Sequence, residues 1–326
     1  MKSHRRLIAG LAAAFAVTLF AAGCTGKSAT GTETPAAGSG SSYKFAVVTH
    51  GAAGDAFWDV VKKGSESAAK DLGVTVTYEG NGQPDQQANL INAAVSKKVD
   101  GIVVSMANPD ALKDSISKAV AAGIPVITIN SGQAKSVEFG ALAHVGQDES
   151  VAGEGAGKKL GAAGVKHVLC VVHEAGNIGL EQRCNGVKST LGGTVDNLQV
   201  DISNVAAAQN LIAAKLQQDK SIDGVLALNP AVAMAASAAV KSAGSSAKVA
   251  TFDLNADVTK AIESGDIQFA IDQQQYLQGY LPIVMLKLYL SNGNTVGGGL
   301  PVLTGPGFVT KENVAKVKEL SAKGTR

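Results

Sequence analysis

The sequence predicts an α/β protein built of two similar doubly wound parallel-sheet lobes, and three observations carry that prediction. From Lys44 onward short apolar runs alternate with longer amphipathic stretches. The runs are rich in Val and Ile with little polar alternation, as expected of parallel strands covered on both faces. One strand–helix–strand stretch also occurs twice, which divides the chain into two comparable halves.

The strand-like runs, in order, are Phe45 to Val48, Ile102 to Val104, Val126 to Ile129, Val168 to Val172, Val225 to Leu228, Val249 to Phe252 and Phe269 to Ile271. Between them lie helical patterns such as Gln86 to Lys97, with Ala88, Ile91, Ala94 and Val95 on one face, and Ala111 to Ala122. Strand followed by helix, repeated, implies right-handed crossovers and an open parallel sheet. Residues 98–130, from Lys98-Val-Asp-Gly to Asn130, match residues 221–253, from Ser221-Ile-Asp-Gly to Asp253, at a constant offset of 123. With a two-residue gap the match extends upstream, pairing Asn89-Leu90-Ile91 with Asn210-Leu211-Ile212. Two such lobes suit the chain better than one sheet of a dozen strands.

The N-terminus has a different character. Lys2, Arg5 and Arg6 precede an apolar run from Leu7 to Ala22 that is short for a membrane span, so residues 1–23 read as a secretory signal. Ala21-Ala22-Gly23 before Cys24 resembles a bacterial lipobox, which predicts lipidation of Cys24 and a chain anchored extracytoplasmically to the cell membrane. Residues 25–42 are Gly, Ser, Thr, Ala and Pro with one Lys and one Glu, so they bury no core and read with Cys24 as a lipidated tether over 24–42. Cleavage before Cys24 removes three of the 29 basic residues and leaves 303 residues with 26 basic against 27 acidic. A chain this near neutrality has no global field for nucleic acid.

In open α/β sheets ligands bind beyond the carboxyl ends of the strands. Those positions hold Asp55, Phe57 and Trp58 after the first run, then Asn108 and Asn130; in the second half they hold Asn177, Glu181, Arg183, Asn229, Asp253, Asp272 and Gln273. Amides, carboxylates, one guanidinium and two adjacent aromatics suit a neutral polyhydroxylated ligand. Each hydroxyl both donates and accepts, and an aromatic face covers the aliphatic side of a ring. Aromatics make up only 4% of the chain, so the sole Trp beside Phe57 at a strand-to-helix junction stands out, whether as ligand platform or as core anchor of the first helix.

Catalytic and cofactor signals are poor. The histidines at 4, 50, 144, 167 and 173 have no metal-ligand spacing, and the three cysteines form no CxxC. Gly153-Glu-Gly-Ala-Gly157-Lys158-Lys159 superficially resembles a phosphate loop, but it has Lys where Ser or Thr is needed and reads as helix interior. No cofactor, no metal and no enzymatic activity are expected. Cys170 lies in a strand run and Cys184 in the following helix, so they form either a disulfide, as favoured outside the cytoplasm, or two separate buried thiols.

With these features in place, the chain resembles the periplasmic binding proteins of sugar ABC transporters, of the ribose-binding-like type I class. The resemblance spans nearly all of residues 43–326 and rests on Val47-Val48-Thr49-His50 with Asp55-Ala-Phe57-Trp58, Asp100-Gly101-Ile102, Gly123-Ile124-Pro125-Val126, and Ile271-Asp272-Gln273-Gln274 leading to Gly279-Tyr280. It implies ligand groups at Asp55, Phe57, Trp58 and Asn130 in the first lobe, with His50 a further candidate. In the second lobe it implies Asn204, Asn229, Asp253 and Gln273, with either Glu181 or Arg183 at the family's arginine position. Asn130-Ser131 stands where an Asp-Arg pair is usual, and Asn204 where an aromatic is common, which points away from ribose toward another sugar or a sugar alcohol. The resemblance further implies three crossovers near Gly146, Gln273 and Leu303. They divide the chain into an N-terminal lobe of 43–146 plus about 274–303 and a C-terminal lobe of 147–273 plus about 304–326. Hinge closure around a carbohydrate or polyol and delivery by a monomer to an ABC transporter permease complete the implied function. A signalling or chemoreceptor-linked binder, or an α/β enzyme acting on a small carbohydrate, are the alternatives. A repressor's effector domain would need a DNA-binding module where residues 1–42 offer a signal and tether.

Overall fold

A computed structural model describes residues 42–52 and 54–326. The signal, Cys24 and nearly all of the tether lie outside the described residues. Strand β1 (Lys44–Thr49) opens the first sheet, and α1 (Ala56–Leu72), β2 (Thr75–Gly80), α2 (Pro84–Ser96), β3 (Gly101–Ser105), α3 (Pro109–Ala121), β4 (Val126–Ile129), a short α4 (Gln133–Ser136) and β5 (Ala143–Gln147) follow. The second sheet repeats the alternation through α5 (Glu149–Ala162), β6 (His167–Val172), α6 (Ile178–Thr190), β7 (Thr194–Gln199), α7 (Val205–Gln218), β8 (Gly224–Ala227), α8 (Pro230–Ser242), β9 (Lys248–Phe252), α9 (Ala256–Ser264) and β10 (Phe269–Asp272). The chain then returns through α10 (Gln275–Asn292) to β11 (Val302–Gly305), and ends with β12 (Gly307–Thr310) and α11 (Lys318–Ala322).

The sheet orders are β2-β1-β3-β4-β5-β11 and β7-β6-β8-β9-β10-β12. This is the same doubly wound lobe twice, crossed three times by the chain: after β5, between β10 and α10, and between β11 and β12. All pairs in the first sheet are parallel, whereas β12 runs antiparallel to β10. Each sheet is sandwiched between two apolar layers, with Phe45, Ile102, Ile127 and Ile129 among the fully buried residues of the first, and Leu169, Ile212 and Phe252 among those of the second. Among the described residues no helix is long and apolar enough to cross a membrane.

The repeated Asp-Gly has a structural cause. Asp100 accepts the Lys44 N–H at 2.7 Å, and Asp223 accepts those of Lys166 and His167 at 2.8–3.0 Å. In each lobe the carboxylate before the third strand therefore fixes the start of the central strand beside it. Strands β2 and β7 lack the buried-strand pattern in the sequence because each is an edge, pairs on one side only and alternates half-buried with exposed residues. The Gly-rich run at 153–157 is helical, and its role is close packing: a Cβ on Gly153 would stand 2.2 Å from the Arg183 carbonyl oxygen, so glycine lets α5 press against α6.

Cys170 of β6 and Cys184 of α6 are joined by a disulfide that staples this helix to its own strand. The bridge closes a loop of 14 residues, worth about 3 kcal/mol by loop entropy. Replacing both cysteines by serine is therefore expected to lower unfolding stability by about that amount in urea melts. Finding two additional reactive thiols in unreduced, denatured protein would contradict the bridge.

Candidate functional site

Strands of both sheets open their carboxyl ends onto one cleft. It is lined by His50 after β1, Asn130 and Ser131 after β4, His173 and Glu174 after β6, Leu228 and Asn229 after β8, Asp253 after β9 and Gln273 after β10. Asp55, Phe57 and Trp58 enter from the start of α1, and Asn177, Leu180 and Arg183 from α6. The space among them, open solvent at its edge included, is about 320 Å³.

Most of these polar groups divide their hydrogen-bonding capacity between scaffold and cleft. Asp55, Asn177 and Asn229 are N-caps: one side-chain oxygen accepts the N–H of Phe57 (2.9 Å), Gly179 (3.0 Å) and Ala231 (2.8 Å) respectively. Asn130 and Asp253 occupy equivalent repeat positions, and both adopt the left-handed conformation, with φ of 63° and 69°. Asn and Asp tolerate this backbone best among non-glycine residues, and it turns the side chain off the strand end into the cleft. Asp253 is not the cap of α9, a role taken by Asn255, which accepts from Asp257 and Val258. Its carboxylate spends no oxygen on the helix and accepts the Gln273 Nε2 at 2.7 Å at the edge of the cleft.

Arg183 is the buried cation of the site, 3% exposed. Its Nε and Nη2 donate to the two oxygens of Glu149 at 2.6 and 2.9 Å, and its guanidinium stands 4.4 Å over the Phe252 ring. Gln147, at the first crossover, donates to the same Glu149 at 2.9 Å. Burial pushes the Asp253 carboxyl up to about 7, opposed by Arg183 and by the Gln273 N–H, and burial raises Asp55 to about 6.

Trp58 and Phe57 meet edge to face at 4.9 Å, and His50 stands against Trp58 at 4.7 Å. Trp58 is both core and cleft wall, being 5% exposed; a Cβ on Gly51 would strike its ring at 2.2 Å. His50 Nδ1 lies 2.7 Å from Ser105 Oγ, while Asn177 Nδ2 reaches His50 Nε2 at 3.4 Å and donates to Glu174 at 2.6 Å. Burial lowers the pKa of His50, and lowers that of His173 to about 4, so both imidazoles are neutral near pH 7.

The structure thus brings together Asp55, Phe57, Trp58, Asn130, Arg183, Asn229, Asp253, Gln273 and His50. It does not bring in Glu181 or Asn204. Residues 181 and 183 lie about 200° apart around α6, so burying Arg183 turns Glu181 to solvent. Asn204 is exposed and caps α7 through the Ala207 N–H at 3.0 Å. Sequence reasoning passed over Ser131, His173 and Glu174, although the last two directly follow β6 and the strand-end rule finds them. One group of potential metal ligands occurs among the described residues: His167, Asp196 and Asp219, away from the cleft, where Lys215 Nζ already stands 3.7 Å from Asp196.

Glu149→Gln leaves the Arg183 charge buried without its carboxylate. Ligand-free protein is expected to lose about 3–5 kcal/mol of unfolding stability, and the paired replacement Glu149→Leu with Arg183→Met to recover most of it. Equal losses for the single and paired variants would show that the ion pair is not what the scaffold depends on.

Comparison with known proteins supplies the context of this geometry. A carbohydrate transporter from Acidothermus cellulolyticus 11B, solved in complex with myo-inositol, is 47% identical and superposes with a TM-score of 0.86 over 87% of this chain and 100% of that one. The ribose import binding protein of Haemophilus influenzae is 27% identical over 263 residues, 76% of this chain and 85% of that protein. The xylose/arabinose-binding protein of Sulfolobus acidocaldarius is 26% identical over 247 residues, 69% of this chain; the match spans 60% of that longer protein. Residues 45–295 match the periplasmic binding protein domain, and with the two lobes, the three crossovers and the shared cleft this places the chain in the periplasmic binding protein family.

Proposed function

We propose that this chain is an extracytoplasmic solute-binding lipoprotein that captures a cyclic polyol or sugar between its lobes and delivers it to an ABC transporter permease. The observation that carries the reading is the donor set of the cleft, which offers amides, carboxylates and one guanidinium beside an aromatic wall, in a fold 47% identical to a carbohydrate transporter solved with myo-inositol. Among polyols, myo-inositol is the ligand the reading favours. Its six hydroxyls each need a donor and an acceptor, and its ring faces can lie on Phe57 and Trp58.

The lobes in this reading are 43–146 with about 274–303, and 147–273 with about 304–326. Asp55, Trp58 and Asn130 then approach the ligand from one lobe and Arg183, Asn229 and Asp253 from the other, with Gln273 at the hinge. Neither lobe alone supplies the full set, so the ligand stabilises the closed arrangement by the contacts it gains there. Binding without turnover is supported by the relatives, which are named as binding proteins. A lipid on Cys24 would hold the body at the membrane, with residues 25–42 as the connecting segment.

Titration calorimetry with myo-inositol is expected to give saturable binding, weakened tenfold or more by Asp253→Ala and by Asn229→Ala. The two differ in ligand-free urea melts: Asn229→Ala loses about 1 kcal/mol with its cap, while Asp253 caps nothing. Unaltered affinity with weakened folding would assign both to the scaffold. Ligand hydroxyls donate to ionised Asp253, so wild-type affinity is full above pH 7 and weakens as pH falls through about 7; Asp253→Asn flattens that limb. The charged groups facing Asp253 are Arg183, Glu149 and Asp272, with Asp55 adding a second limb near pH 6.

Lipid anchoring is separately testable. Cys24→Ser is expected to release the protein from the membrane fraction of its host, and retention in that fraction would contradict the anchor.

A further inference from the structure

Gln278, on the first turns of α10, is fully buried and lies behind the cleft rather than in its lining. We propose that Gln278 is a positioning residue that fixes the direction of a hydrogen-bond relay, Gln278 to Gln273 to Asp253, and so keeps Asp253 facing the ligand as an acceptor. The relay's direction does not depend on what the cleft binds; its effect on affinity rests on the polyol reading above.

Counting donors and acceptors gives the direction. An ionised Asp253 only accepts, so Gln273 must turn its NH2 toward it, and Gln273 Nε2 does donate to Asp253 Oδ1 at 2.7 Å. Gln273 Oε1 then points the other way, where it needs donors. It receives Gln278 Nε2 at 2.9 Å and Asn130 Nδ2 at 3.2 Å. Gln278 is held in turn: its Nε2 also reaches Thr304 Oγ1 at 3.3 Å, and its Oε1 accepts from Asn130 at 3.4 Å. Thr304 Oγ1 donates to the Gln273 carbonyl oxygen at 2.7 Å, which leaves it an acceptor toward Gln278. Gln273, Gln278, Asp253, Asn130 and Thr304 are all at most 5% exposed. Flipping Gln273 would set its oxygen against a carboxylate and its NH2 against two other NH2 groups, so Gln278, the nearer of the two donors, holds the amide at the hinge in the orientation that Asp253 requires.

The test exploits a side chain of the same shape that donates only when protonated. In Gln278→Glu a protonated carboxyl donates to Gln273 Oε1 as the amide does, whereas an ionised one only accepts, sets its lone pairs against that oxygen and so disfavours the wild-type orientation. Myo-inositol affinity of Gln278→Glu is therefore expected near that of the wild type at pH 5.5 and at least tenfold below that of the wild type at pH 8.5, so that the wild-type rise with pH is lost. Simple repulsion from a charge at 278 would move the wild-type rise to higher pH without abolishing it, and would leave the Gln273 amide unmoved. The other charged or titratable groups near the relay are Asp272, paired with Arg326, the Arg183–Glu149 pair, and His144, which burial keeps neutral; all are common to both proteins.

A ligand-free readout separates this inference from the polyol reading. With glutamine-selective 15N labelling, the Gln273 side-chain amide, assigned by its loss in Gln273→Met, is expected to move in Gln278→Glu as the introduced carboxyl titrates. Should Gln278→Glu fail to fold, Gln278→Met serves: it removes the donor without a charge, and is expected to shift the Gln273 amide and weaken affinity about fivefold across the pH range. A moving amide without myo-inositol binding by the wild type upholds the relay and overturns the ligand. A wild-type slope with an unmoved Gln273 amide overturns the relay.

Discussion

The bidentate pair of Arg183 with Glu149 is the interaction around which the second lobe is arranged. A guanidinium this deep must be neutralised and fully hydrogen-bonded, and Glu149 reaches it only because α5 and α6 are in close contact at Gly153. The disulfide fixes α6 to β6, Phe252 supplies the ring beneath the guanidinium, and Gln147 ties the same carboxylate to the first crossover. A positive charge at the cleft is thus held by a helix pair, a strand and a hinge segment at once, and it counters the burial that would otherwise neutralise Asp253.

The remaining cleft groups follow a common economy. Caps are needed wherever a helix starts after a strand, and the ligand cleft opens at those same places. Asp55, Asn177 and Asn229 serve both ends with one side chain, one oxygen taken by a backbone N–H of the helix while the side chain lines the cleft, where Asn177 Nδ2 holds Glu174. Asn130 and Asp253 reach the same result through backbone conformation, which is why the two repeats place a short polar residue at the same position.

Much of this was legible in the sequence. Buried parallel strands announce themselves as Val- and Ile-rich runs, the repeat implied two lobes, and the rule that ligands lie beyond strand ends led to Asp55, Asn130, Asn229, Asp253 and Gln273. The edge strands β2 and β7 were hidden because one-sided pairing leaves them polar, and β11 and β12 because four residues on either side of Pro306 carry little pattern. Asn204 was drawn from register against a family, and Glu181 from that register and from the strand-end rule; a capping role excluded the former and helix phase the latter. Gln278 has no local signal at all, since its importance lies in the direction in which a neighbouring amide points.

The exchange of β11 and β12 between the sheets bears on how the molecule is made. The first sheet acquires its sixth strand only at Val302–Gly305, and α1 acquires its covering helix only at Gln275–Asn292. A chain emerging from its N-terminus therefore carries an unfinished first lobe, with one edge unpaired and one helix uncovered, until residues 275–305 are available. Completion of both lobes is deferred to the stretch from Gln275 onward and rests on contacts distant in sequence.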